Sequence, residues 1–384
     1  MESIKFDSPT TPLLKIGRHE KYPTGWSNDE EQCHEGFKII SSPSRTSSTD
    51  SLALSVDENK RVTIVIPMYR EIAEVKSALR SCLDFQSYGN GEDFLVNIIV
   101  IVDGCTVDND CTLQSLQLEL SSNGESLGDP VRDEEFGCLL FSVKYGTMPL
   151  EILVKGCNVQ KGKRFSQILA FDYLSAHTLP NVVIFQDCDT YFPPSQMHTA
   201  VKAEMDEEKI VCPQLLVSGD IFYEGLLPMF KGAFETVLRE WRSAFQRLGC
   251  CPLLPGPIAV YPYDSLKALM EVYGKEVPHE SNMFFGNKML VEDSYMGWCV
   301  TAEGLAPTIE FTLCNAYWNL PTRLFPLVRQ RRRWKAGQIS TVLVGHPNLE
   351  IEPWRVVLMK IYEWFINIFL EFHFHFWLTM FLYG

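Results

Sequence analysis

From residue 61 onward, apolar runs alternate with mixed and polar stretches at the lengths expected of strands and helices. Residues 62–67, Val-Thr-Ile-Val-Ile-Pro, form a short β-branched run closed by Pro67, the pattern of a strand buried on both faces. Residues 71–85 carry helical spacing. Residues 96–102 are apolar almost throughout and stop at Asp103-Gly104. The stretch 115–137 is polar and acidic, without strong periodicity, and reads as a surface insertion. Residues 150–154 predict another strand, 165–176 a helix, and 182–185 a strand that ends at Asp187-Cys188-Asp189. Strands alternating with helices predict an α/β domain, a mostly parallel sheet with helices on both faces. In such sheets ligands gather beyond the carboxyl ends of the strands. Asp103 and Asp187 each follow a strand end, so both are expected at one crevice despite their separation in sequence.

The two ends of the chain read differently. Residues 1–60 lack sustained periodicity and are rich in Ser and Thr over 41–55, so they are expected to form a disordered cytosolic leader. Near the other end, Trp354, Val357, Leu358, Ile361, Phe365, Ile368, Phe369 and Phe372 recur at helical spacing. Arg355, Lys360, Glu363, Asn367 and Glu371 fall on the opposite side, which predicts an amphipathic helix lying at a bilayer interface or packed on other helices. Residues 374–383 are almost wholly apolar but fall short of the ~20 needed to cross a membrane. Residues 353–384 are therefore read as an amphipathic helix followed by the start of a transmembrane region, in a truncated piece of a longer membrane protein. The other reading is a soluble domain ending in a core helix.

Composition narrows the partners. The chain has 384 residues, 46% hydrophobic and 21% charged, enough for one large domain or two modest ones. A formal charge of −14 argues against nucleic acid as a partner, because such proteins carry a basic face. The twelve cysteines are scattered, with no C-x-x-C pair, and the N-terminus has no signal-peptide pattern. Reduced thiols in a cytosolic domain follow from that usage, rather than a disulfide framework or zinc site. The histidines of Phe372-His373-Phe374-His375-Phe376 are not read as metal ligands.

Five acidic or basic signals carry the candidate chemistry. Asp187-x-Asp189 at a strand end suits a divalent ion bound to a diphosphate, since hard Mg²⁺ or Mn²⁺ takes few protein carboxylates and completes its shell with phosphate oxygens and water. A DxD by itself is also a common solvated turn. Asp103 is placed to hydrogen-bond a nucleoside base or ribose, or simply to make the turn before Gly104. Glu292-Asp293 offers a general base, Asp293 with Glu292 as its supporting neighbour; a charged helix N-terminus is the plainer reading. Gln330-Arg331-Arg332-Arg333-Trp334 combines planar cations for phosphate oxygens with an indole that stacks on a sugar or nucleotide face. Lys161-Gly162-Lys163-Arg164 enters a predicted helix, where cations oppose the helix dipole; Lys161 and Lys163 are read as donor-phosphate or ribose contacts.

Taken in chain order, Asp103, Asp187-Cys188-Asp189, Glu292-Asp293 and the 330–334 run resemble the motifs of the processive, inverting family 2 glycosyltransferases, the membrane synthases of chitin, hyaluronan and cellulose. The matching residues are those of 63–71, Val102-Asp103-Gly104, Asp187-Cys188-Asp189, Glu292-Asp293 and 330–334. Residues 251–261 are similar to the segment that helps form the acceptor site in those enzymes. The resemblance covers 61 to about 345. It implies a GT-A domain over 61–345 on the cytosolic side of a membrane, plasma membrane by preference, with a UDP-sugar donor and a polysaccharide acceptor. It further implies Mg²⁺ or Mn²⁺ at Asp187 and Asp189, Asp293 as base, and Gln330, Arg331, Arg332, Arg333 and Trp334 binding the donor diphosphate and the acceptor end. Within the group, the insertion over 105–150 and Leu254-Pro255-Gly256 look most like chitin synthase, with GlcNAc as the unit. The alternatives are a hyaluronan- or cellulose-type synthase, transfer of a single sugar, and an inactive regulatory subunit. Self-association into a homo-oligomer is compatible with all of them.

Overall fold

The computed structural model describes residues 61–69, 72–88, 94–103, 110–156, 162–177, 179–217, 239–275, 291–311, 313–318 and 324–365, with the backbone alone described at 110–111 and 217 and over 324–331. The expected leader, Lys161 and the stretch after residue 365 lie outside these residues.

The strands are β1 (Arg61–Met68), β2 (Leu95–Val102), β3 (Val131–Asp133), β4 (Cys138–Tyr145), β5 (Met148–Lys155), β6 (Val182–Gln186), β7 (Thr190–Tyr191), β8 (Ile210–Val211), β9 (Gln214–Val217), β10 (Ile258–Pro262), β11 (Ile309–Glu310) and β12 (Asn315–Trp318). Nine of them form one sheet, in the order β11-β8-β10-β6-β1-β2-β5-β4-β3. Its centre, β6-β1-β2-β5, is parallel, made of β-branched runs with no exposed face. The expectation of a mostly parallel sheet is corrected at both sides of that centre. Strand β10 runs antiparallel to β6 and β8, and β4 runs antiparallel to β5 and β3, so the sheet is mixed. The β4–β5 reversal follows from the two-residue turn Gly146-Thr147, where Gly146 has φ +63° and a Cβ would meet Leu83 Cδ1 at 2.8 Å.

The helices are α1 (Glu74–Ser87), α2 (Asp110–Ser122), α3 (Lys163–His177), α4 (Pro194–Glu207), α5 (Tyr263–Tyr273), α6 (Glu292–Ala302), α7 (Leu324–Val344) and α8 (Pro353–Ile361). Alternate side chains of the central strands enter two cores. Ile64, Ile66, Ile98, Val100 and Ile184 pack with residues of α1, α2 and α4, among them Leu79, Leu116 and Val201. Val65, Ile99, Ile101, Val183 and Phe185 pack with α3, α5 and α6. Helices therefore cover both faces, as the alternation of elements predicts.

The surface insertion expected over 115–137 is also corrected. Its first part belongs to α2, which buries Leu113, Leu116 and Leu120, and β3 adds an edge strand to the sheet. The three leucines sit at positions i, i+3 and i+7, an apolar stripe diluted by the Ser, Gln and Glu residues around it. The helix expected over 71–85 begins at Glu74.

A small second sheet, β7-β12-β9, stands beside the large one. It begins immediately after Asp187-Cys188-Asp189, and β12 pairs Trp318 with Thr190 and Tyr317 with Tyr191. The acidic turn is thereby fixed against the chain that leads toward α7. Among the described residues no helix is long and apolar enough to cross a membrane.

Ile64 is fully buried at the middle of the central strand. Ile64→Ala is expected to lower the stability by about 2–5 kcal/mol, read as a lower urea midpoint at an unchanged denaturant slope. An unchanged midpoint would show that the central strand is not the core described here.

Candidate functional site

The chain leaves β1 for β2 and β5 on one side and reaches β6 on the other, so the direction of winding reverses at β1. Crevices form beyond the strand ends at such a reversal. Asp103 lies at the end of β2 and Asp187 at the end of β6, with β1 between them, which puts their backbones roughly 10 Å apart. Both expected acids therefore reach one edge of the sheet.

Asp103 is 7% exposed and both its oxygens are engaged. Oδ1 accepts from Lys155 Nζ at 3.2 Å and Oδ2 from the Gly162 N–H at 2.5 Å. Lys155 is fully buried at the end of β5. Burial lowers its ammonium to about 8, against the pull of Asp103, which favours the charge. Sequence reasoning missed Lys155, although a lysine closing an apolar strand before Gly156 was a signal that it needs a buried partner.

The second group surrounds Lys163, the first residue of α3. Its Nζ contacts Asp187 Oδ1 at 2.7 Å and Oδ2 at 2.9 Å, donates to the Gly256 carbonyl at 2.7 Å, and stands 3.9 Å from Glu292 Oε1. Burial disfavours the ammonium, yet Asp187, Asp293 and Glu292 together outweigh it and hold the group above its ordinary range. A cation expected to face a donor anion thus faces protein carboxylates here. The neighbouring Arg164 turns inward: its guanidinium donates to the carbonyls of Tyr273 (2.5 Å) and Lys275 (3.0 Å), capping the end of α5.

Glu292 and Asp293 begin α6, where the helix dipole favours carboxylates. Burial and then the adjacent Glu292 nonetheless raise Asp293 to about 8, with Lys163 and Arg333 pulling the other way. Its carboxyl group lies over Gly256, at which an added Cβ would come within 2.2 Å of both oxygens. Gly256 is therefore required for the approach, and the Leu254 N–H donates to the Asp293 carbonyl at 3.3 Å from the same segment. Gly297 holds that segment down: a Cβ there would meet the Cys251 carbonyl at 2.5 Å. Leu254, Gly256, Glu292 and Asp293 line one small pocket with Tyr261 and Phe185 beneath them.

Asp189 is raised to about 6, by burial and then by the charge of Asp187. Two close carboxylates in excess of local positive charge, open to solvent on one side, fit a divalent cation whose remaining ligands come from a bound molecule. Among the described residues no set of three or more His, Cys, Asp or Glu side chains surrounds one position.

The basic motif lies on α7, with Arg332 and Arg333 exposed. Trp334 is half-buried and packs against the strand core shared with Cys188 and Trp318. Arg333 is close enough for its charge to act on Asp293. The segment that follows α7 docks on α6: Asn348 donates to the Tyr295 hydroxyl at 3.0 Å, and the His346 ring lies between Tyr295 and Trp298. The side chains of Gln330 and Arg331 lie outside the description. The eight cysteines whose side chains are described are free and buried, and Cys188, between the two aspartates, belongs to the core.

No protein-family model and no curated protein matches the sequence. Solved structures do. Glucosyl-3-phosphoglycerate synthase from Mycobacterium tuberculosis with Mn²⁺, UDP and glucosyl-3-phosphoglycerate is 16% identical, TM-score 0.41, over 74% of this chain and 81% of that one. Another structure of the M. tuberculosis enzyme is 14% identical, TM-score 0.43, over 86% of this chain and 88% of that one.

The raised Asp293 bears on stability. Between about pH 4 and 8 its folded carboxyl holds a proton that the unfolded chain releases, so it costs stability increasingly as pH rises through that window. Asp293→Asn is expected to raise Tm, and to raise it more at pH 8 than at pH 5. An equal change at both values, or a fall, would show that the carboxyl is not held protonated by its surroundings.

Proposed function

We propose that the protein is an inverting glycosyltransferase that takes a sugar from a UDP-sugar and adds it to the end of a growing β-linked polysaccharide, with GlcNAc the favoured unit, as in chitin synthesis. The observation that carries this reading is the Lys163 ammonium, which gathers Asp187 of the DxD turn and Glu292 of the ED helix at one edge of the sheet. A nucleotide-sugar transferase needs both sets of carboxylates, one at the departing diphosphate and one at the attacking hydroxyl.

Asp293 takes the role of general base. Its carboxylate accepts the proton of the acceptor hydroxyl while that oxygen forms a bond to the anomeric carbon and the bond to the UDP oxygen breaks. Attack from the face opposite the leaving group inverts the configuration, and no covalent intermediate is required. A carboxyl held at about 8 is a stronger base than an ordinary one and still ionises near neutral pH. A Mg²⁺ or Mn²⁺ ion held by Asp187 and Asp189 would neutralise charge on the departing diphosphate. Asp103 serves the base or ribose of the donor. Lys161, Gln330, Arg331, Arg332 and Arg333 serve its phosphates and the acceptor end, Lys163 holds the carboxylates around them in place, and Trp334 anchors the helix of the arginines to the core.

The cytosolic face of a membrane is the proposed location. Trp354, Val357, Ile361, Trp364 and Phe365 are all exposed, 37–55% each, and repeat at helical spacing along α8 and its continuation. Such a stripe with a tryptophan near each end suits the headgroup boundary of a bilayer.

Membranes carrying the protein, given a panel of labelled UDP-sugars, are expected to yield long polymer from UDP-GlcNAc. Activity should rise with pH to about 8 and then level, since the base works deprotonated. Asp293→Asn should lower turnover by about 10²–10⁴-fold with UDP binding retained. Full activity in that variant would overturn the assignment of the base; single-sugar products would overturn polymerisation. In a separate assay, the chain should float with phosphatidylcholine vesicles, and replacing Trp354 and Trp364 together by Ser should weaken the association. Flotation unaffected by the double change would rule out this stripe as the membrane contact.

A further inference from the structure

The sequence places Glu363 on the solvated side of the C-terminal helix, yet in the structure it is fully buried. Its Oε1 accepts a hydrogen bond from the Ser294 hydroxyl at 2.5 Å. Ser294 is also fully buried, adjoins Asp293 in the first turn of α6, and stands 3.4 Å from the Pro252 carbonyl. A buried carboxyl group is costly unless hydrogen-bonded, so this contact is one that the fold needs. The contact therefore fixes two elements at once: the helix that follows α8, and the helix turn that carries Asp293.

Neighbouring contacts make this joint stiff. Tyr362, beside Glu363, is fully buried and meets Phe245 edge-on at 5.3 Å. Gly297 presses on the Cys251 carbonyl, and the Cys251 N–H donates to Thr301 Oγ1 at 2.8 Å. On the other side, Gly256 lies under the Asp293 carboxyl with no room for a methyl group. The first turn of α6 is thus pinned between the 251–256 segment and the C-terminal helix. A shift of that helix would pass through Glu363 and Ser294 to the Asp293 backbone.

We infer that Glu363 is a positioning residue: through Ser294 it ties the exposed, apolar-striped C-terminal helix to the first turn of α6, so that the seating of that helix governs where Asp293 stands. This inference rests on the proposed role of Asp293 as base. It assigns a duty to the C-terminal helix inside the site, beyond attachment to a surface.

The test compares Ser294→Ala, Glu363→Ala, Glu363→Gln and the double Ser294→Ala/Glu363→Ala in full-length protein held in membranes. UDP release from UDP-GlcNAc is measured alongside melting temperature and UDP affinity. Both alanine changes should lower kcat about tenfold or more, with the donor KM within about twofold. The double change should cost no more than the worse single one, since both break the same contact. Glu363→Gln keeps an oxygen that accepts from Ser294 and should retain most of the turnover. Ser294→Ala, the smallest of these changes, keeps the test open should Glu363→Ala fail to fold. Wild-type turnover in every variant, or additive losses in the double, would overturn the inference and leave the base assignment standing. An absence of turnover in the wild type with any UDP-sugar would instead overturn the proposed function itself.

Discussion

The architecture of the site depends on one ammonium group. Lys163 lies at a helix N-terminus, where the backbone dipole repels it, and burial repels it further. It is stable there because Asp187 and Glu292 converge on it from a strand end and from the start of another helix. Removing Asp187 or Glu292 would leave a half-buried cation poorly compensated, and removing the lysine would leave those two carboxylates repelling one another. The sheet edge and α6 are consequently held at a fixed separation by charge, with Gly256 supplying the clearance and a carbonyl to the same ammonium.

The central strands were legible because uninterrupted β-branched runs have few alternatives to a doubly covered parallel sheet. Pairing direction was less so. Nothing in the apolar pattern of 258–262 or 138–145 states that these strands run antiparallel, since a strand buried on both faces looks the same either way. The helix α2 was hidden because Leu113, Leu116 and Leu120 are few among polar neighbours, and only their common burial reveals the stripe.

The candidate site was readable as far as its acids and not as to its internal contacts. Asp103, Asp187, Asp189, Glu292 and Asp293 announce themselves by following strands or opening a helix. The partner of each is set by tertiary approach: Lys155 for Asp103, Lys163 for Asp187, Gly256 for Asp293. Lys163 shows the difference well. Its position at a helix start was evident, and the inference that an anion must face it was sound in kind, but the anion in contact belongs to the protein. Glu363 marks the opposite failure, because a charged residue at a nominally polar helix position is a poor guide when the helix is seated with its apolar stripe outward.

That outward stripe has a practical side. Two indoles, a phenylalanine and two branched aliphatic side chains facing water together behave as the apolar half of a surfactant. In plain buffer such chains lower their free energy by clustering, so the apparent particle size would follow protein concentration and the presence of micelles. The hydrodynamic behaviour of the isolated chain is therefore a property of its solvent as much as of its fold.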